Sequence, residues 1–357
     1  MPDKKSLDFF KDLLNTIGPS GYEEDTAAVF RSYLEKFCDR VDTDVMGNTI
    51  GVLNENAPFK VMLVGHYDEI GFQVTHITDD GYIWFRPNGG IDKLNVPSSE
   101  VEIRTANGVV HGVIGKKPIH LLSEAEREKA VKLEDMWIDI GAENREEAAA
   151  LVSVGDPVAL KRNVAFMGKN RVMSKGLDDR IGAFVVAETM RALAKRKLNV
   201  AVYGVGSVQE ELGYRGAITS CYNINPAVGF AIDVGFASDL PDVSKKKFGD
   251  VKLGKGAMVG KSADVNVVLN REMIRIADEK KIPYQVVACH RASGGTDASA
   301  IQLIRGGAAT ALISIPNRYM HSPVEICDLR DVDSAVKLLT ETIAGFTGNE
   351  QFRPGVD

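Results

Sequence analysis

The sequence predicts an α/β fold, with a mixed, mostly parallel sheet covered by helices on both faces and a β-rich, barrel-like insert. Three observations predict it. From residue 178 onward, apolar strand-like runs alternate with amphipathic helical stretches, as in a sheet built from crossover units. Between about 71 and 161, short strand-like runs alternate instead with turn signals, as in a small barrel or sandwich. The chain has 357 residues, 44% hydrophobic and 26% charged, enough for a sizeable core in one large domain or two medium ones.

The elements follow in order. Leu7, Phe9, Phe10, Leu13 and Leu14 fall at helical spacing, and Gly18-Pro19-Ser20-Gly21 stops that helix. A second helix is expected over 23–37, with Ala27, Val29, Phe30, Tyr33 and Leu34 as its buried stripe. Strands follow near 48–53 and 59–65. The insert carries strand-like runs at 71–77, 82–86, 101–104, 109–114, 137–140 and 157–160, separated by turns such as Asp79-Asp80-Gly81 and Ala106-Asn107-Gly108. Two helical pieces interrupt it, 123–132 and 144–151; the second has Asn144 as N-cap and Glu147 three residues later. After it come a helix at 179–194, strands at 198–205 and 227–232, a helix at 265–280, a strand at 284–288, a helix at 297–304, a strand at 309–315 and a helix at 330–345. The expected organisation is a discontinuous domain, 1–70 and 165–357, with the β-rich insert 71–164 between its halves.

Bulk properties exclude several roles. A net charge of -6 argues against nucleic acid or an anionic membrane as the main partner. No run approaches the roughly 18 apolar residues a membrane helix needs, and no apolar stretch follows Met1-Pro2-Asp3-Lys4-Lys5 as in a signal peptide. Cys38, Cys221, Cys289 and Cys327 lack metal-like spacing and read as reduced thiols. A cytoplasmic protein is expected.

Five places deliver chemistry where ordered elements meet loops, which is where open α/β sheets bind ligands. The run Ser207-Val208-Gln209-Glu210-Glu211-Leu212-Gly213 ends a strongly apolar strand with two adjacent carboxylates. As the chain turns, the two can aim at different partners in one crevice, one at a metal and one at a proton. In Val64-Gly65-His66-Tyr67-Asp68-Glu69, Asp68 can accept the second imidazole N–H of His66 and fix its tautomer. Asp178, in Lys175-Gly176-Leu177-Asp178-Asp179-Arg180, is either a helix N-cap or a carboxylate shared between two metals. Asp233 ends the apolar run 228–232, as a turn residue or a ligand. His321 follows another apolar run, in Tyr319-Met320-His321-Ser322-Pro323. Each alone has a structural explanation. Together they supply the oxygen and nitrogen donors that suit Zn, Co or Mn, and one shared carboxylate lets five ligands fill two sites. Cations would also relieve the repulsion among so many acidic groups. His76, His111 and His120 in the insert read as surface or structural residues. His290 precedes Gly294-Gly295, either a simple turn or a place where backbone approaches substrate.

These motifs resemble the tetrahedral aminopeptidase family, cytosolic dinuclear metallopeptidases that include glutamyl and leucyl aminopeptidases. The matching elements also include Gly18-Pro19-Ser20-Gly21 with Glu23-Glu24, Gly295-Thr296-Asp297-Ala298 and Met320-His321-Ser322-Pro323-Val324-Glu325, in family order along the chain. The resemblance implies a zinc-peptidase-like fold and two divalent ions per subunit, Zn or Co, with Mn also accommodated. It implies that His66 and Asp233 bind one ion, Glu211 and His321 the other, and that Asp178 bridges them. Glu210 would be the general base, and Asp68 would orient His66. The insert would serve dimerisation, with dimers building a hollow tetrahedral dodecamer acting on short peptides. The alternatives are a related dinuclear amidohydrolase (a carboxypeptidase or N-acyl amino acid deacylase), a metal-free two-carboxylate glycosidase and an inert assembly scaffold. Adjacent Glu210 and Glu211 are poorly placed to flank a sugar bond, and a scaffold has no need of Glu210. The side-chain preference is expected to reside in loops after Asp233, where Asp239, Asp242 and Lys245 occur, and around 294–297.

Overall fold

The computed structural model describes residues 2–289 and 295–355. Its centre is an eight-stranded sheet in the order Arg40–Thr43, Thr49–Leu53, Ala201–Ser207, Lys60–His66, Val228–Phe236, Ala309–Asn317, Ala257–Lys261, Tyr284–Ala288. The four middle strands, Ala201–Ser207 through Ala309–Asn317, run parallel. Their sequences are continuously apolar because both faces are covered. Alternate residues feed two different cores. Val61, Leu63, Val202, Phe230 and Ile232 belong to one, beneath the helices Leu177–Leu193 and Leu329–Ala344. Met62, Val64, Tyr203, Val205 and Ala231 belong to the other, with Ala217 and Cys221 of the helix Arg215–Ile224 and Ala298 and Ile301 of the helix Asp297–Gln302. The expected mixed, mostly parallel sheet with helices on both faces is therefore present.

Gly65 lets the helix Leu177–Leu193 approach closely. A β-carbon at Gly65 would lie 2.6 Å from the Gly182 carbonyl carbon and 2.7 Å from the Ala183 nitrogen. That approach brings the start of the helix, and with it Asp178, against the end of the His66 strand.

Between the two parts of the sheet the chain forms a closed six-stranded antiparallel barrel, ordered Gly71–Ile77, Ile83–Asn88, Trp137–Asp139, Gly108–Gly115, Glu100–Thr105, Pro157–Leu160. It has its own core, including Phe72, Val74, Ile83, Val101, Ile103, Ile138 and Val158. A three-stranded ribbon, Ala165–Met167, Arg171–Ser174 and Glu325–Asp328, returns the chain to the main domain.

Several elements differ from the sequence expectation. The helix Arg215–Ile224 was unforeseen, because Gly216, Thr219 and the β-branched Ile218 weaken its helical signal. The edge strand Arg40–Thr43 is largely exposed and lacks an apolar pattern. Ala257–Lys261 and Glu325–Asp328 are short strands hidden among glycines and charges. The helical piece at 123–132 shortens to the single turn Glu124–Arg127, closed by a Ser123–Glu126 capping box. Asp233 does not end its strand: pairing with Ala309–Asn317 carries Val228–Phe236 three residues beyond it. His290 through Gly294 lie outside the described residues.

A buried ion cluster ties the N-terminal segment to the sheet. Glu69 accepts hydrogen bonds from Lys175 Nζ, from Arg180 at 2.9 Å and from the Gly18 N–H at 3.1 Å. Arg180 also donates to the Thr16 carbonyl at 3.0 Å. Burial pulls Lys175 down to about 8, against the pull of Glu69. Glu69→Gln leaves the buried Arg180 guanidinium without the carboxylate it is paired with. It is expected to lower the unfolding free energy by about 3–5 kcal/mol, measured as a lower urea midpoint at unchanged slope.

Candidate metal centre

His66 is the last residue of its strand, beside Ser207 of the neighbouring strand. Asp178 enters from the helix start, where it and Asp179 have non-helical dihedrals and share a cis peptide bond. Asp233 arrives on the other flank of His66, and Glu210 and Glu211 lie in a 3₁₀ turn just past Ala201–Ser207. His321 sits in the loop after Ala309–Asn317, in a left-handed conformation with φ of 61°. Parallel strands thus aim residues distant in sequence at one crevice.

Asp178 lies between the two imidazoles. Its Oδ1 is 3.3 Å from His66 Nε2, and its Oδ2 is 3.3 Å from His321 Nε2. His321 Nε2 is also 3.4 Å from Glu211 Oε1, and His66 Nε2 is 3.7 Å from Glu210 Oε2. Two donor trios share Asp178: His66, Asp178 and Asp233, and Asp178, Glu211 and His321, each with ligating atoms within 4.8 Å of one another. His66, Glu210 and Glu211 form a third such trio. On the far side of the ring, Asp68 Oδ1 is 3.3 Å from His66 Nδ1. All seven residues singled out from the sequence therefore meet in one place.

A second layer holds them. Asp68 accepts the Glu210 N–H at 3.0 Å, the Glu211 N–H at 3.3 Å and the Ser20 hydroxyl at 2.6 Å. Asp179 accepts the His66 N–H at 3.2 Å and the Gly182 N–H at 3.0 Å. Glu325 accepts the Asp178 N–H at 2.8 Å and the His321 N–H at 3.1 Å, so one buried carboxylate fixes the backbones of two candidate ligands. Neither Glu325 nor Ser20 was singled out for a role from the sequence. The signal was present in Glu325, which closes the His321 motif, but its partner Asp178 lies 147 residues away. The barrel also touches the site: the Asp92 N–H donates to the His321 carbonyl at 3.3 Å.

The electrostatics are those of a site with surplus negative charge. Burial, aided by the charges of Asp178 and Asp297, pushes Asp233 well above the usual carboxylate range. Burial also raises Glu210 well above that range, with Asp233, Asp297 and Glu211 adding to the shift. Glu211 is raised by burial too. Asp178 goes the other way: burial opposes it, but hydrogen bonds from His321 and His66 hold its carboxyl down. Donating to Asp178 and Glu211 pushes His321 up to about 11. His66 resists its own burial and is raised by the charges of Glu210 and Asp68. The histidines of the insert, His76, His111 and His120, are exposed and belong to none of these donor trios. Asp239 is paired with Arg318, Oδ2 to Nη2 at 2.7 Å, and Lys245 with Asp250 at 2.9 Å.

Fold and cluster together belong to a known class of peptide hydrolases. The TET aminopeptidase from the marine sediment archaeon Thaumarchaeota archaeon SCGC AB-539-E09 superposes with a TM-score of 0.91 at 35% identity, covering 96% of each chain. The Pyrococcus horikoshii TET1 peptidase, which can assemble into a tetrahedron or a large octahedral shell, superposes with a TM-score of 0.86 at 34% identity, over 96% of this chain and 100% of its own. The lysyl aminopeptidase of Pyrococcus furiosus is 36% identical over 334 residues, 93% of this chain and 94% of its own. The chain belongs to the M42 glutamyl aminopeptidase family, which matches residues 47–338. It is a hydrolase acting on peptides, as the sequence motifs implied.

The electrostatics set a pH dependence. His321 and Glu211 both have folded-state values raised above their unfolded ones. Each therefore contributes stability that is fully present below its unfolded value and is lost as pH rises through the folded one. Cations displace the same protons, so they bind more tightly as pH rises. The gap in melting temperature between metal-replete and chelated protein is expected to widen from about pH 6 to about pH 9, as thermal scans at several pH values would show.

Proposed function

We propose that this chain is a dinuclear metal-dependent aminopeptidase that releases N-terminal residues from short peptides, with Glu210 as general base. The observation that carries the reading is Asp178, whose two oxygens each face a different histidine at 3.3 Å. The donor chemistry fits two divalent ions. His66 and Asp233 would hold one, Glu211 and His321 the other, and Asp178 both. Imidazole and carboxylate donors suit Zn or Co, and Mn as well. When bound, two such cations acidify a water molecule and polarise the scissile carbonyl.

The chain's own residues account for the rest. Glu210 and Glu211 both fall in a donor trio with His66, but only Glu211 also shares one with Asp178 and His321. The family resemblance assigns the base to Glu210, which would take a proton from the attacking water and hand it to the leaving amine. Asp68 does two jobs: it orients the His66 ring through Nδ1 and anchors the amides of Glu210 and Glu211. The surplus carboxylates offer a counter-charge to a free substrate ammonium, which favours cleavage at an unblocked N-terminus.

The P. horikoshii relative, which can assemble into a tetrahedron, supports a homo-oligomer here, dimers building a tetrahedral dodecamer. The barrel is the natural dimerisation surface: Val109, Val113, Ile119 and Leu121 on or beside its strand Gly108–Gly115 are exposed. Four free cysteines support a cytoplasmic setting, and no helix among the described residues is long and apolar enough to cross a membrane.

Glu210→Gln is expected to keep its metal and lose about 10²-fold or more in kcat, whereas Asp178→Ala should lose metal by elemental analysis. On a panel of aminoacyl-p-nitroanilides, free-amine substrates should be cleaved in a chelator-sensitive way and N-acetylated ones left intact. Cleavage of blocked substrates alone would favour the related amidohydrolase.

A further inference from the structure

We propose that Glu23 is a positioning residue for catalysis, fixing the turn that presents Glu210 and Glu211 by holding the Gln209 amide. This rests on the reading of Glu210 as base. Glu23 is 5% exposed and stands at the N-cap of the helix Glu24–Leu34, yet its side chain makes no capping bond to its own helix. Here Oε1 instead accepts the Gln209 N–H at 3.1 Å, 186 residues away, and the Gly21 N–H at 2.6 Å.

Gln209 is the pivot of the site. It is left-handed, with φ of 54° and ψ of 36°, a conformation that a residue with a β-carbon adopts reluctantly. That conformation ends the strand Ala201–Ser207 and starts the 3₁₀ turn Glu210–Leu212. The next two amides, of Glu210 and Glu211, are both held by Asp68. Three successive amides thus end on two buried carboxylates, Glu23 and Asp68. Ser20 and Gly21, from the same loop as Glu23, bond to one carboxylate each. Loss of the first anchor frees rotation at Gln209 and moves the Glu210 carboxylate relative to His66, a displacement to which proton transfer is steeply sensitive.

The test uses the full-length, metal-replete protein with Glu23→Ala, Glu23→Gln, Glu210→Gln and the double variant Glu23→Ala/Glu210→Gln. The readouts are kcat and KM on the best aminoacyl-p-nitroanilide, bound metal and melting temperature. Glu23→Ala is expected to lower kcat about tenfold or more with KM and metal content unchanged. Glu23→Gln should restore kcat, because its amide oxygen accepts the same two N–H groups. Adding Glu23→Ala to Glu210→Gln should cost nothing further, since both act through one group. A wild-type kcat in metal-loaded Glu23→Ala, or an additive loss in the double variant, overturns the proposal. If Glu210→Gln itself turns over normally, the base assignment has failed and Glu23 falls with it. If Glu210→Gln is impaired and Glu23→Ala is not, only the Glu23 proposal has failed.

Discussion

The rest of the structure depends on the repulsion among acidic groups at the strand ends. Asp178, Glu210, Glu211 and Asp233 converge on His66 and His321, and burial denies most of them water. Such a cluster is unfavourable unless positive charge is shared among its members. Asp178 shows the arrangement most clearly, held acidic by an imidazole on each side while Asp233 and Glu210 are driven toward protonation. A scaffold that tolerates this must be rigid. The parallel strands supply that rigidity, and the absence of a side chain at Gly65 lets the Asp178 helix press against the strand that ends in His66.

A second set of buried carboxylates turns the crowding into geometry. Asp68, Asp179 and Glu325 do not compete for the centre of the site; they accept backbone N–H groups of its members. Backbone amides stabilise a buried carboxylate without adding a side-chain charge. Each such bond also removes freedom from a residue whose side chain must stay in place. Side chains at the centre and acceptors around it are thus two solutions to one problem, the burial of negative charge.

How much of this was legible in the sequence follows from the range of the interactions. Most of the candidate ligands were legible because they close or follow an apolar run, a local signal, whereas Asp178 was legible as an acidic residue at the start of a helix. Asp233 was legible as a residue but not in its placement, since only pairing with a neighbouring strand shows that its strand continues. Glu325 as an anchor was not legible, because its meaning lies in two amides it meets across the fold. The helix Arg215–Ile224 was missed because tertiary packing of Ala217 and Cys221 on the sheet overrides its weak propensity. The barrel's alternation of strands and turns was readable, whereas its closure, which needs Gly71–Ile77 to pair with Pro157–Leu160, is a long-range event.

The barrel cannot be an independent appendage, because it shares a wall with the site. Its loop after Ile83–Asn88 runs beside both Glu211 and His321. A β-carbon at Gly89 would lie 2.9 Å from Ile70 and 3.4 Å from the Glu211 β-carbon, and one at Gly90 would lie 3.4 Å from His321 Nδ1. Asn88 donates to the Ser20 carbonyl at 2.7 Å, and Tyr22 donates to the Gly155 carbonyl at 3.0 Å. The segment from Gly18 to Glu23 is therefore bonded to the barrel on one side and to Asp68 and Gln209 on the other. Any force that shifts the barrel against the sheet is felt at the turn carrying Glu210 and Glu211 and at the loop carrying His321. A surface on the barrel that engages a second copy of the chain would, by the same contacts, brace the site in the position its chemistry requires.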